Sequence, residues 1–404
     1  MMAPAPTTLA TFLGEQYAKV FGRPWGLVPS ALIIGSLNVF LFAFDKPWTA
    51  SDGMRNWGDW LFQSVRISNQ IDLLPPWLYS GSVLNLGLLL GGLSAALLSR
   101  EFAFRPAPAS ELVKGALGGL LMGWGAMLSF GCNIGGFFSA LSALSLSGIG
   151  MMAGLFLGAF LSTRYVIWEN AKLIRAGLMP FMSACEAAPQ PVRGSTSFVI
   201  QPWLGALVVM GLLGAGHLYG RLGHQPLAVF LLFGAVFGVV LQRSRFCIVS
   251  AFREPFLSGQ SEHTRAAAVA LILSMIGFSI LKATDLKDAS EWVFPSFWSG
   301  ALFGGTLFGI GMVIAGGCGA GSIWRAGEGH IKLWFAVFFF AIGASMMRRW
   351  LVSTDLIREL GSAVFLPNWM GWASAIWGVV ALMVLWYVFS GWNESRKRVR
   401  LLKF

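Results

Sequence analysis

The chain has 404 residues, of which 56% are hydrophobic and only 12% are charged, and its mean hydropathy is +0.67. About a quarter of the residues of a soluble protein are charged, so this composition excludes a soluble globular protein and indicates a polytopic membrane protein. The formal net charge is +11, but the basic residues lie in short loops between apolar segments. That pattern reflects membrane topology and argues against nucleic-acid binding.

Apolar segments long enough to span about 30 Å of hydrocarbon recur along the whole chain. The predicted spans are 26–44, 82–99, 112–130, 148–166, 201–219, 227–242, 266–283, 298–315, 331–347 and 371–391. If the basic segment at 392–404 is cytoplasmic, alternation of these spans puts most of the 29 lysines and arginines on the same side, as expected of cytoplasmic loops. The sequence therefore predicts an all-α protein with about ten transmembrane segments and both termini in the cytoplasm.

Two glycine-rich segments, 115–138 and 300–329, repeat each other at an offset of 186 residues, and each contains one cysteine. In the predicted topology the span at 82–99 and its partner at 266–283 run in opposite directions. Two inverted repeats with broken, glycine-rich helices are a common plan of transporters, because equivalent halves can enclose a site near the membrane midplane.

The predicted organisation places these repeats at 26–166 and 220–347. A cytoplasmic N-terminal segment at 1–25 precedes the first repeat. The repeats are separated by a cytoplasmic linker at 167–200 and a connecting helix at 201–219. An outer loop with the last helix follows at 348–391, and a basic tail occupies 392–404. The tryptophans of the outer segment 45–77 are expected to anchor it at the membrane interface.

The four cysteines show no CxxC spacing and the four histidines are scattered, so the sequence predicts no metal site, no cofactor and no disulfide framework. Cys185 lies in the Pro- and Ser-rich linker and is interpreted as an ordinary cytoplasmic thiol. Cys132 and Cys318 occupy equivalent points of the two repeats, each within a cluster of glycines. Those glycines are Gly131 and Gly135 in the first repeat, and Gly317, Gly319 and Gly321 in the second.

Clustered glycines favour unwinding of a helix, and the freed backbone N–H groups in a membrane must be satisfied by protein, water or substrate. An unwound turn with exposed N–H groups suits an anion. The alternative for these glycines is simple kinking, and for Gly115/Gly119 and Gly300/Gly304 it is close packing of helices.

Cys247 has a different setting, because Arg243, Arg245 and Arg253 lie near it at the end of an apolar run. Nearby cations lower the pKa of a thiol and attract an anionic substrate. The alternative for these arginines is anchoring at the cytoplasmic membrane surface. Glu328 could form a local ion pair with Arg325 or take part in proton coupling.

At this point LQRSRFCIVSAFRE, followed by GIGMVIAGGCGAGSIWRAGEGH, resembles the YeeE/YedE family of bacterial inner-membrane transporters of sulfur compounds. The segment GWGAMLSFGCNIGGFFSALSALSLSG is similar to the longer YedE branch. The resemblance implies a multi-pass inner-membrane importer in which thiosulfate, or a related sulfur anion, passes successive thiols. By motif these are Cys132, Cys247 and Cys318, whereas Cys185 matches nothing. It also implies a non-enzymatic protein in contact with membrane lipid that works beside a cytoplasmic sulfur carrier of the TusA type.

One departure from a symmetric arrangement is that the first-half counterpart of the Arg/Cys element, near IIGSLNVFLFAFDKPW, contains no cysteine. The YedE branch is also linked with selenium metabolism, so a selenite-like anion is an alternative substrate. A membrane sulfurtransferase or redox protein that holds sulfur as a persulfide, and a non-transporting accessory subunit, are alternatives from other functional classes.

Overall fold

The computed structural model describes residues 9–66, 73–175, 177 and 196–396. Within these residues the secondary structure is helical, with isolated β-bridges and no strand. The α-helices are α1 (Leu9–Phe21), α2 (Leu27–Phe44), α3 (Ser51–Ser64), α4 (Ser80–Leu98), α5 (Ala109–Leu128), α6 (Ala140–Ser142), α7 (Leu146–Arg175), α8 (Thr196–Arg221), α9 (Gln225–Ser244), α10 (Ile248–Leu257), α11 (Glu262–Ala283), α12 (Ser299–Ala315), α13 (Gly319–Gly327), α14 (Ile331–Ser353), α15 (Leu366–Met370) and α16 (Trp372–Arg396). A π-helix (Asn133–Ser139) precedes α6, and a 3₁₀-helix (Leu356–Arg358) precedes α15.

Each of the ten predicted spans falls on one long helix, namely α2, α4, α5, α7, α8, α9, α11, α12, α14 or α16. Among the described residues nine spans are long and apolar enough to cross a membrane, and the tenth is α5 together with the π-helix and α6, which bend away from it by 42°. The prediction of an all-α polytopic membrane protein is confirmed. The part of the linker between Arg175 and Thr196, which contains Cys185, lies almost wholly outside the described residues.

Equivalent helices of the two halves make reciprocal contacts. Helix α4 packs against α9 while its counterpart α11 packs against α2, and α5 packs against α14 while its counterpart α12 packs against α7. The short helices follow the same pattern, since α3 contacts α4 and α10 contacts α11. Two related halves are expected to make such reciprocal contacts between their equivalent helices. The opposite orientation of the two halves in the membrane stays a prediction.

Glycines bring α5 and α12 together at the centre of the protein. A Cβ at Gly118 would lie 2.7 Å from the carbonyl oxygen of Gly311, and a Cβ at Gly311 would lie 2.6 Å from that of Gly118. Gly125 and Gly304 make the same reciprocal approach, at 2.4 and 2.6 Å. Only a residue without a side chain allows backbones this close. The predicted packing role of Gly115/Gly119 and Gly300/Gly304 is confirmed, since a Cβ at these positions would lie 2.6, 2.3, 2.7 and 2.6 Å from a backbone oxygen of a neighbouring segment.

The segment before α3 departs from the prediction. Trp48 is 1% exposed and belongs to the hydrophobic core, where its ring stacks on Phe237 with 4.2 Å between centroids. Anchoring at the membrane interface is therefore wrong for Trp48. The physical reason is that α3 packs between α4 and α14, which carries the preceding loop into the interior of the bundle.

Candidate functional site at three broken helices

Three helix breaks in the described residues share one local geometry. In each, an extended cysteine immediately precedes a new helix: Cys132 precedes the π-helix, Cys247 precedes α10 and Cys318 precedes α13. A residue in the left-handed conformation lies two positions before each cysteine, and these are Phe130, Arg245 and Gly316. The left-handed residue ends one helix and the cysteine precedes the next, so each cysteine occupies the capping position of a helix N-terminus. At Cys318 the sulfur also accepts a backbone N–H of that helix.

A small cavity of about 10 Å³ is lined by residues from all three breaks. This volume holds about one water molecule, so an anion of several heavy atoms enters only if the side chains around it move apart. Cys318 lines it directly, Ile134 reaches it from the Cys132 turn, and Phe246 and Ile248 flank Cys247. The other lining residues are Trp48, Leu241, Ala320, Gly321 and Trp324. The structure thus brings the three predicted cysteine segments to one place, with the Cys318 thiol at the cavity itself.

The turn at Cys318 depends on its glycines. The backbone N–H of Gly321 donates to Sγ of Cys318 at 3.3 Å, and a Cβ at Gly321 would lie 3.1 Å from the same sulfur. A Cβ at Gly319 would lie 3.6 Å from Cβ of Cys132 and 3.2 Å from Cε of Met54. The second-half turn is therefore packed directly against the first-half cysteine. At Gly317 a Cβ would meet the hydroxyl of Ser322 at 2.8 Å.

The turn at Cys132 is fully buried and polar on one side. The N–H of Cys132 donates to Oγ of Ser51 at 3.2 Å, and Thr49 lies 3.1 Å from the same hydroxyl. A Cβ at Gly135 would lie 2.7 Å from Oγ1 of Thr49. Within the described part of the chain, both amide atoms of the buried Asn133 side chain lack a hydrogen-bond partner.

Tight backbone packing also surrounds Gly131, where a Cβ would lie 2.4 Å from the backbone nitrogen of Gly136. The π-helix that begins at Asn133 follows directly, and it takes the place of the regular helix α13 in the second half. The two equivalent turns therefore differ in geometry although their glycines match.

The counterpart of Cys247 in the first half is Ala50. Each is the residue that precedes the short helix after the first span of its half, α3 for Ala50 and α10 for Cys247. Ala50 is fully buried, and its Cβ would lie 3.8 Å from a Cβ at Gly319. The missing fourth cysteine is thus replaced by a small apolar residue at the same place in the fold.

Arg245 is held by two carboxylates from distant parts of the chain. Its guanidinium contacts Glu101 at 2.5 Å and Glu328 at 2.7 Å. Gln242 donates to the same two side chains at 2.8 and 3.0 Å, and the buried Arg243 reaches Glu101 at 3.2 Å. Glu328 is fully buried, so Arg245 supplies this side chain with a direct ion-pair partner away from bulk water.

This charged cluster has more arginines than glutamates. His330 has its pKa lowered to about 3, first by burial and then by the positive charges of Arg105, Arg325 and Arg245. Burial likewise lowers the pKa of Arg105. His330 is therefore neutral at pH 7, and the four arginines, including Arg243, leave the cluster around the two glutamates net positive.

The three cysteines, their glycines and Arg245 were predicted from the sequence and stay predictions, whereas Trp48, Trp324 and Glu101 were not singled out. The tryptophans give no local signal because the chain has 18 of them. Glu101 is distant in sequence from Arg245 and becomes a partner only through folding. Among the described residues no group of three His, Cys, Asp or Glu side chains is arranged to hold a metal ion, and the thiols of Cys132, Cys247 and Cys318 are unbridged.

Broken spans, buried thiols at helix N-termini and a net-positive cluster define a polytopic membrane protein of the transporter class. A family model described as sulphur transport matches residues 3–161 and 243–402, so the chain belongs to the sulphur transport family. It is 27% identical over 339 residues to the "Probable transporter YedE" of Escherichia coli, covering 80% of each chain.

Shorter matches link it to two proteins named "Thiosulfate transporter TsuA". The identity is 36% over 118 residues for the Escherichia coli protein, which covers 29% of this chain and 33% of that one. It is 42% over 114 residues for the Spirochaeta thermophila protein, which covers 28% of this chain and 34% of that one. The predicted YeeE/YedE resemblance is confirmed.

Proposed function

We propose that the protein takes up thiosulfate, or a closely related inorganic sulfur anion, across the bacterial inner membrane, with both termini in the cytoplasm. The observation that supports this most strongly is the convergence of three cysteine turns on one small buried cavity. The names of the two thiosulfate transporters support the choice of anion. The two halves act as inverted repeats around the cavity, within the boundaries expected from the sequence.

The thiols of Cys132, Cys318 and Cys247 contact the anion in series. A thiol is a weak donor, so it can face the terminal sulfur of thiosulfate without holding it tightly, and conduction requires several sites that are each weak enough to release the ion. The glycines of the two turns, Gly131, Gly135, Gly317, Gly319 and Gly321, allow the backbone to approach the anion closely.

Positive charge offsets part of the dehydration of the anion. Backbone N–H groups at the N-terminus of α13 face the Cys318 end, where an anion is favoured by the helix dipole. Arg245 contributes its charge through the net-positive cluster at the proposed cytoplasmic end. A cytoplasmic sulfur carrier of the TusA type would receive the anion there and maintain the inward gradient.

The test is uptake of radiolabelled thiosulfate by vesicles that contain the full chain, with Cys132→Ala, Cys247→Ala and Cys318→Ala measured beside Cys185→Ala. We expect uptake to fall about tenfold or more in the first three variants, since each loses a contact to a charged ion. Cys185→Ala should match the wild type. The label should be recovered as thiosulfate, because a transporter does not convert its cargo.

Three outcomes would contradict the proposal. Normal uptake in all three cysteine variants would show that the thiols are not needed along the transport path. Uptake of selenite but not of thiosulfate would indicate that the protein is a transporter of selenium compounds. Release of a modified sulfur product, with a persulfide retained on a cysteine, would indicate a sulfurtransferase.

A further inference from the structure

Five tryptophans have a buried indole N–H without a protein acceptor in the described part of the chain, and they are Trp48, Trp60, Trp124, Trp324 and Trp386. Buried donors in proteins are nearly always hydrogen-bonded, so each exception needs an explanation. Only two of the five, Trp48 and Trp324, line the cavity at Cys318. Their exposed fractions are 1% and 0%, so bulk solvent does not satisfy them.

The two tryptophans come from opposite halves of the chain and are held firmly. Trp48 stacks on Phe237 at 4.2 Å between ring centroids, with 17° between the planes. Trp324 belongs to α13, the helix that begins after Cys318. The two indoles therefore line the same small cavity from the two halves of the chain.

Trp324 also lies beneath positive charge. The guanidinium carbon of Arg325 is 4.8 Å from its ring centroid and that of Arg245 is 5.7 Å away. A cation over an indole is attracted by the electron-rich face of the ring and draws electron density toward itself. The N–H of Trp324 becomes a stronger donor, and the positive field favours an anion beside it.

The remaining cavity lining shows which ion fits. No lining side chain carries a carboxylate, amide or hydroxyl oxygen, so the side chains offer donors, apolar surface and one thiol. An indole N–H donates but cannot accept. An oxyanion without a proton can therefore be satisfied here, whereas an oxyanion that keeps an O–H group finds no side-chain oxygen to accept it and only the weak acceptor Sγ of Cys318.

We propose that the indole N–H groups of Trp48 and Trp324 bind the oxygen atoms of the transported oxyanion while the thiol of Cys318 contacts its terminal sulfur. This inference rests on the proposed function and narrows its substrate class to fully ionised sulfur oxyanions, with thiosulfate preferred to hydrogen-carrying oxyanions such as phosphate and selenite at pH 7. Neutral donors suit a transport site, because they bind an anion less tightly than an arginine would and so permit release.

The experiment uses the full-length protein in detergent, with ¹⁵N-labelled tryptophan, titrated with thiosulfate. Trp48→Phe and Trp324→Phe keep an aromatic ring, remove the donor and identify the two indole signals by their disappearance. We expect both wild-type signals to shift on titration. Thiosulfate affinity measured by calorimetry should fall about tenfold to a hundredfold in each variant.

Trp386→Phe is the matched control. Trp386 is also buried with an indole N–H that lacks a protein acceptor, but it packs against Phe137, Phe156 and Phe252 and does not line the cavity. Its signal should not shift, and its variant should bind thiosulfate like the wild type. Phosphate should displace thiosulfate poorly at pH 7.

Two results would overturn the inference while the proposed function stands. One is unchanged thiosulfate affinity in folded Trp48→Phe and Trp324→Phe. The other is a wild-type titration in which thiosulfate binds but neither indole signal moves, a measurement that does not depend on how well the variants fold. If the wild type neither binds nor transports thiosulfate, the inference falls together with the proposed function.

Discussion

Replacement of Arg245 by glutamine tests the charged cluster around Glu101 and Glu328. Glu328 is fully buried, and its carboxylate is held by Arg245 at 2.7 Å and by Gln242 at 3.0 Å. In Arg245→Gln the carboxylate loses its ion-pair contact with Arg245 and keeps the amide of Gln242, while Arg105 acts on it through its charge. Removing one member of a buried ion pair costs about 3–5 kcal/mol.

We expect a value near the lower limit, a loss of about 3 kcal/mol in the free energy of unfolding, because the side chain of Arg245 is 27% exposed. In Arg245→Gln/Glu328→Gln no buried charge is left alone at Glu328, so the double variant should regain about 1–2 kcal/mol over the single variant. Unfolding in mixed SDS and detergent micelles, followed by tryptophan fluorescence, measures these differences.

The matched control is Arg358→Gln. Arg358 contacts Asp355 at 3.2 Å, but the side chains are 81% and 68% exposed, and an exposed pair contributes little to stability. If Arg245→Gln is no less stable than Arg358→Gln, or if the double variant is no more stable than Arg245→Gln, the reasoning is refuted. Uptake measured in parallel separates the roles, because restored stability without restored uptake would support an action of the Arg245 charge on the anion.

Three further predictions concern the turn at Cys318, the contact between α5 and α12, and His330. Gly321→Ala places a Cβ 3.1 Å from Sγ of Cys318 and should reduce thiosulfate uptake by displacing the thiol. Gly378→Ala, with open space around its Cβ, is the control and should leave uptake unchanged. Equal effects of the two substitutions on uptake would contradict this prediction. Gly125→Ala brings a Cβ to 2.4 Å from a backbone oxygen of α12 and should lower the free energy of unfolding by about 1–3 kcal/mol, and wild-type stability of this variant would show that the helices can separate freely.

For His330, the folded pKa of about 3 is below the ordinary value of 6.5, so the unfolded chain binds the extra proton as the pH falls from about 6.5. This histidine therefore lowers stability on acidification through that range. His330→Gln should flatten the dependence of the unfolding midpoint on pH between about 6.5 and 5, and an identical slope in both proteins would contradict the lowered pKa.

The spans could be predicted from the sequence because apolar length is a local property that the membrane itself selects. The helix breaks at Cys132 and Cys318 could also be predicted from the sequence, since glycines concentrated at one point of an apolar helix favour unwinding. The offset of 186 residues made the two turns equivalent before any contact was known. Similarity to a family then suggested a role for the thiols, which composition and spacing left open and which stays a prediction.

The tertiary structure decided what fills the space around those turns. Trp48 lies in the interior because α3 packs between α4 and α14, although its local sequence reads as an interface segment. Glu101 and Glu328 meet Arg245 across 144 and 83 residues of chain, and Ala50 takes the place of the fourth thiol. Local sequence determines where an apolar helix runs and where it breaks, whereas the partners of a buried charge or indole depend on distant segments that only folding brings together.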